Sequence, residues 1–243
     1  MSVPGTTVLT GMLWKRFIPG RDSYTKLLMH FDGADGSTTT ADSSLTPKTG
    51  ITITAPAALR TAVRKFGSAS FQPGTASFQG GHATVPYSSD FDFGLPTLDF
   101  TIECWFYCLP GSSAQFISLV GGDAVGWEMN LNYPTWGTLG FWTPGVQRDL
   151  GWYPSQGSSI PANVWTHAAV TRWGNNFYGW INGQMTTNSP VFDNTVSIDL
   201  GGNDLVIGTQ STTDFIGYID ELRISKGIAR WTANFTPPSL PYG

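Results

Sequence analysis

The sequence predicts an all-β fold, a two-sheet antiparallel jelly-roll sandwich, on three observations. Apolar and polar residues alternate over short runs, turn residues punctuate those runs, and no segment keeps a helical period beyond two turns. Gly (29) and Pro (16) are plentiful in the 243 residues, whereas charged residues make up only 12%. One large sandwich accounts for a chain of this length. Ten Trp, eight Tyr and fifteen Phe supply its core with aromatics to spare.

Taken in order, residues 1–24 read as an N-terminal arm and 25–243 as the jelly-roll domain with a short extended C-terminal tail. The arm mixes bulky apolar and basic residues from Met12 to Ile18 without periodicity. Leu13, Trp14, Phe17 and Ile18 either pack on their own domain or dock on a neighbouring subunit. Lys26–Phe31 is the first strand. The loop 32–44 is rich in oxygen donors, with Asp32, Asp35 and Asp42 among them. Such side chains suit a hard cation, although asparagine- and aspartate-type turns explain them equally well. The alternating acids and closing Glu of an EF-hand are missing.

Short strands are expected at 51–54, 69–71 and 82–85, then one helical turn at 88–94 capped by Ser or Asp. The run 100–107 is the best central strand. Phe100, Ile102, Cys104, Phe106 and Cys108 share its core face, while Glu103, Trp105 and Tyr107 look outward. Cys104 and Cys108 are four residues apart, roughly 13 Å along an extended chain, beyond disulfide reach; both read as buried free thiols. Strands follow at 115–120 and 126–131. Between Trp127 and Tyr153 aromatics crowd into turn-rich sequence. Trp136, Trp142, Trp152 and Tyr153, with Arg148, are either satellite core or a platform for the apolar face of a sugar ring. Residues 164–171 pair with 176–181, and Asn182-Gly183 closes a hairpin. His167 reads as a structural histidine.

The stretch Phe215–Ile224 is apolar on both sides of an extended chain apart from Asp220-Glu221 and Arg223. A carboxylate there needs a cation or several donors, so Asp220 is either an ion ligand or a hydrogen-bonded structural acid. The formal charge of −4 comes with no basic run, which argues against nucleic acid as a partner. No run approaches the ~18 apolar residues needed to span a bilayer. Met1–Gly5 lacks the basic start and apolar stretch of a cleavable leader, so synthesis in a cytoplasm is expected.

These residues, in this order, resemble the concanavalin A-like lectin/glucanase superfamily in its laminin-G-like branch: Leu28–Gly33, Lys65–Phe71, Phe100–Trp105, Trp165–His167 with Ile181–Gly183, Gly217–Ile224 and Gly227–Trp231. The resemblance covers about residues 25–238. With Phe235–Pro238, the closing segment looks like the version common in tailed-phage virion proteins. It implies a jelly roll with a structural calcium near the sandwich edge, carried over to Asp220 and Asp32, with Asp42 as a weaker third ligand. Glycosidases of this superfamily place paired carboxylates on one strand. The chain has only Glu103, Glu128 and Glu221, and none opens such a motif. No Gly-x-Ser-x-Gly elbow, His-Glu-x-x-His pair or phosphate loop is present either.

The resemblance therefore implies a non-enzymatic protein of the phage virion surface, made in the host cytoplasm. It would be a head decoration or a small tail or fibre component, with capsid or tail subunits and host surface glycans as partners. A homo-oligomer is compatible with the chain, though no coiled-coil heptad enforces one. A free-standing carbohydrate-binding module and an atypical glycan hydrolase are the alternatives.

Overall fold

The computed structural model describes residues 22–75, 80–94, 98–110, 115–122, 126–133, 138–152, 160–194, 197–210 and 213–242. Strands β1 (Thr25–Met29), β2 (Thr52–Thr54), β3 (Ala58–Arg60), β4 (Ser70–Gln72) and β5 (His82–Val85) precede a single 3-10 turn at Ser89–Phe91. The middle of the chain forms β6 (Phe100–Cys108), β7 (Gln115–Gly121), β8 (Glu128–Tyr133), β9 (Thr138–Thr143) and β10 (Val146–Trp152). Next come β11 (Trp165–Trp173), β12 (Asn176–Ile181), β13 (Gln184–Met185) and β14 (Val191–Phe192). The last strands are β15 (Leu205–Ile207), β16 (Thr209–Gln210), β17 (Thr213–Asp214) and β18 (Gly217–Lys226).

Two antiparallel sheets carry the fold. The nine-stranded sheet runs β13-β12-β11-β6-β18-β4-β3, with β1 beside β18 and β14 beside β12; the seven-stranded sheet runs β10-β9-β8-β7-β15-β5-β2. β6 fulfils its expected role, pairing with both β11 and β18. Its alternation puts Phe100, Ile102, Cys104, Phe106 and Cys108 into the shared core, because successive side chains of a strand point to opposite faces. Phe93 stacks on Phe100 at 4.2 Å, and Trp127 stacks on Phe141 at 6.0 Å. Both cysteines are free and buried, and burial pushes the Cys108 thiol up to about 12.

Local signals hold as well. Ser88 caps the 3-10 turn, its hydroxyl accepting from Asp90 N at 3.2 Å. Asn182 and Gly183 both adopt positive φ, 49° and 74°, as a two-residue hairpin requires.

The strand 217–226 departs from strict alternation. Its register on β6 slips between Asp220 and Arg223, and Glu221 sits at φ 52°. This bulge places one extra residue in β18. Ile219, Leu222 and Ile224 all reach the core, while Asp220, Glu221 and Arg223 all meet partners on the outer face. The acidic pair, expected on opposite sides, thus lies on one.

The segment after β18 lies across the outer face of the nine-stranded sheet. Trp231 stacks on Phe235 at 3.8 Å and 7°, and both pack with Ala169, Tyr178 and Trp180. Tyr242 closes over Leu28 and Trp105. Leu13, Trp14, Phe17, Ile18, Trp136 and Tyr153 lie outside the described residues.

Candidate functional site

Three constellations carry chemistry. The first is the outer face of the seven-stranded sheet over β8, β9 and β10. Core-facing Met129, Leu131, Leu139, Phe141 and Leu150 leave the alternate positions outside. Pairing registers align Glu128 with Trp142 and Gln147, Asn130 with Gly140 and Asp149, and Thr138 with Trp152. Trp142 and Trp152, both partly exposed, therefore stand at the two ends of a strip about 14 Å long on ideal strand spacing. Gly140 is its floor. A Cβ there would lie 2.3 Å from Asn130 Oδ1 and 2.5 Å from Gln147 Nε2, so two amides converge where a side chain is lacking. Asn130 Nδ2 and Ser118 Oγ, in the next row position, are buried without a hydrogen-bond partner. Gln147 and Asp149 are exposed.

Arg148 and Trp127 do not belong to this face. Arg148 points inward with Leu150, and its guanidinium lies 4.7 Å from the Phe177 ring centroid and pairs with Asp193 at 2.5 Å. Alternation along β10 requires this: Gln147 and Asp149 take the outer positions. Trp127 is wholly buried, donating Nε1–H to the Phe91 carbonyl at 2.8 Å. Of the residues expected on this platform, Arg148 is therefore core, whereas Trp142 and Trp152 are on the outer face.

The second constellation is the acidic one. Asp220 Oδ2 accepts from Lys65 N at 2.8 Å and Phe66 N at 3.1 Å, and Asp32 Oδ1 accepts from Ser68 N and from Ser68 Oγ. Both carboxylates thus face one four-residue loop. Gly67 sits between these donors at φ 56°, and a Cβ there would strike the Asp32 carboxylate. Asp220 Oδ1 is buried with no hydrogen-bond partner. Burial pushes the Asp220 carboxyl up to about 7, against the lowering effect of the Phe66 and Lys65 amides. Asp42 is elsewhere and fully used: Oδ1 accepts from Leu28 N and Ser44 N, Oδ2 from Ser44 Oγ and Lys48 N. Asp42 is a loop anchor and has no acceptor to spare for a cation, which corrects its assignment as a ligand. Among the described residues no group of three or more His, Cys, Asp or Glu is arranged to hold a metal. The orphaned Asp220 oxygen with Asp32 nearby still suits a hard cation completed by backbone oxygens.

The third is a buried network under the tail. Arg223 donates from Nε and Nη2 to Glu103 Oε1 at 2.9 and 2.6 Å. Glu103 Oε2 accepts from Trp231 Nε1 at 3.1 Å and lies 3.3 Å from His167 Nε2. The Tyr242 hydroxyl meets the same His167 nitrogen at 2.9 Å. Burial alone would raise the Glu103 carboxyl, but Arg223 and then His167 outweigh it and hold it well below the carboxylate range. Glu221 bonds His30 Nδ1 at 2.8 Å and accepts from Tyr242 N at 2.8 Å. That bond raises His30 above the usual histidine value despite partial burial. His167 is structural, as expected. The tail's role in enclosing these charges was not legible from its composition.

With this geometry in place, a laminin G-type family model of the concanavalin A-like lectin/glucanases superfamily matches residues 78–230. The chain belongs to that family. Among solved structures, this laminin-G-like domain is similar to the binding domain of Paraclostridial Mosquitocidal Protein 1, at 17% identity and TM-score 0.62 over 85% of this chain and 49% of that one. It is similar to domain 4 of a GH43 extracellular arabinanase from Geobacillus stearothermophilus in complex with arabinotriose, at 20% identity and TM-score 0.55, over 84% and 93% of the chains. The binding domain of botulinum neurotoxin serotype D matches at 13% identity and TM-score 0.62, over 86% and 48%. The laminin-G-like domain thus spans about half of the two toxin chains. At these identities the likeness is one of fold. Among curated proteins none matches the sequence.

Proposed function

We propose that this laminin-G-like domain is a non-catalytic glycan-binding module displayed on the surface of a phage particle. The observation that carries the glycan reading is the strip from Trp142 to Trp152. Two partly exposed indoles offer apolar faces to sugar C–H groups, and between them the exposed Gln147 and Asp149 side chains offer donors and acceptors to hydroxyls. Of the two carboxylates among the described residues of this face, Glu128 is wholly buried and only Asp149 is exposed, whereas glycosidic hydrolysis calls for two carboxylates flanking the bond. The solved structures named above add a precedent in the same fold: two are binding domains, and the arabinanase domain is in complex with arabinotriose.

The virion placement rests on the closing motif Gly227–Trp231 with Phe235–Pro238, and its partners would be capsid or tail subunits, with self-association compatible. Asp220 and Asp32 would hold a calcium that neutralises a buried carboxylate and pins the 65–68 loop to β18; its role would be structural.

A neutral-glycan array probed with the full chain tests the binding reading. Wild type is expected to retain a subset, and Trp142→Ala is expected to lose it while keeping its melting temperature. Equal retention by Trp142→Ala and Trp152→Ala would refute the strip. Mass spectrometry of purified phage particles tests placement, and absence of the chain from them would remove the virion reading.

A further inference from the structure

The opposite sheet carries a second aromatic row that the strip above does not use. Register places Trp165 on β11 beside Tyr107 on β6, and Tyr107 beside Tyr218 on β18. All three point away from the core and are partly exposed. Tyr107 lies 5.5 Å from Trp165 and 5.8 Å from Tyr218, centroid to centroid. The pairing of Ile219 with Phe71 continues the row to Gln72 on β4.

A cation ends the row. Gln72 stands beside Tyr218 in the register and its amide oxygen accepts Arg60 Nε–H at 3.1 Å. Arg60 is therefore oriented through its Nε, and among the described residues it forms no salt bridge. Asp35 Oδ1 accepts from Thr61 N at 3.1 Å. Arg60 and Gln72 line a cavity of about 230 Å³ bounded by Pro56, Pro73 and Gly74. The tail closes over Trp105 and Trp180; of the row, only Trp165 packs against the cluster of Leu28, Trp105 and Tyr242 that the tail completes.

We propose that this row is a second ligand site, selective for acidic oligosaccharides. The carboxylate of a uronate or sialate would enter the cavity and meet the planar guanidinium fork of Arg60, which matches carboxylate geometry. Neighbouring sugar rings would lie along Tyr218, Tyr107 and Trp165. The row shares with the strip only the premise that the domain takes up glycans; face, residues and ligand charge differ. One chain would then hold two glycans on opposite sheets, the arrangement that raises avidity on a dense surface.

The test is calorimetric titration of the full chain with oligogalacturonates and sialyllactose, each beside its methyl ester. Wild type is expected to bind at least one acid and to prefer it to its ester. Arg60→Gln should weaken that binding at least about tenfold, the scale of a charge-assisted bond lost, and Arg60→Lys should restore it only in part. Raising the salt concentration should weaken the acid and spare the ester. Trp165→Ala should weaken both, and melting curves establish that each variant is folded. Trp142→Ala should leave acid binding unchanged, which separates failure of this row from failure of the strip. Equal binding of acid and ester, no effect of Arg60→Gln, or no binding of any acid would overturn the proposal.

Discussion

Replacing Arg223 with Met in the network beneath the tail isolates what holds a charge inside this sandwich. Glu103 is completely buried, and Arg223 supplies its two hydrogen bonds of 2.9 and 2.6 Å to Oε1. Met keeps most of the volume and removes the cation. The carboxylate then retains only Trp231 Nε1 and His167 on Oε2. Breaking one partner of a buried pair costs about 3–5 kcal/mol, because the remaining charge stays desolvated. In a chain of this size that lowers Tm by roughly 6–20 °C. Glu103→Gln alone strands the Arg223 cation, partly offset by the Tyr242 ring 4.2 Å away. The double variant Glu103→Gln/Arg223→Met removes both charges and is expected to recover to within about 2 kcal/mol of wild type, since apolar or neutral replacement of a whole buried pair is often tolerated. Urea unfolding followed by tryptophan fluorescence gives all four free energies. A loss below about 1 kcal/mol for Arg223→Met, or a double variant equal to the sum of the singles, would refute the reasoning.

Other outcomes follow from the same geometry. The Glu103 carboxyl is depressed below its ordinary 4.5, so its stabilising contribution is complete above about that pH and is lost as pH falls further; acid titration should destabilise wild type more steeply than Glu103→Gln. Asp220 is shifted the other way, to about 7, so without a cation stability is expected to fall as pH rises from about 4 through 7. Calcium should then raise Tm at pH 8 more than at pH 5, and Asp220→Asn should abolish both the pH trend and the calcium response; a calcium shift that survives Asp220→Asn would end that assignment. Gly140→Val drives a side chain into Asn130 and Gln147 and should abolish binding at the strip at a stability cost of about 1–3 kcal/mol, measured by array and melting together. Tyr242→Phe removes the hydroxyl bond to His167 and should cost about 0.5–1.5 kcal/mol in urea unfolding.

Much of the fold was legible because its signals are local. Alternation in 100–108 named the core face of β6 without reference to any partner, and Asn182-Gly183 marked its hairpin through backbone sterics alone. The acidic motif near Asp220 also announced itself, since a carboxylate in an apolar run demands an explanation wherever it sits. Arg148 was misassigned because composition says which residues lie near one another in sequence, while side-chain direction alternates residue by residue. Asp42 was misassigned because only the folded loop shows four donors closing on its two oxygens.

The sequence by itself determined a two-sheet β sandwich, its central strand, its free thiols and its unusual acidic strand. Tertiary structure decided which faces those residues occupy. One inserted residue at Glu221 shifts the phase of β18, because a strand's side-chain period is two and any bulge inverts it. That shift gathers Asp220, Glu221 and Arg223 on the outer face. There Glu103, His30 and the returning tail satisfy the charges of Glu221 and Arg223 through contacts between residues up to 191 positions apart, a distance over which no local pattern carries information.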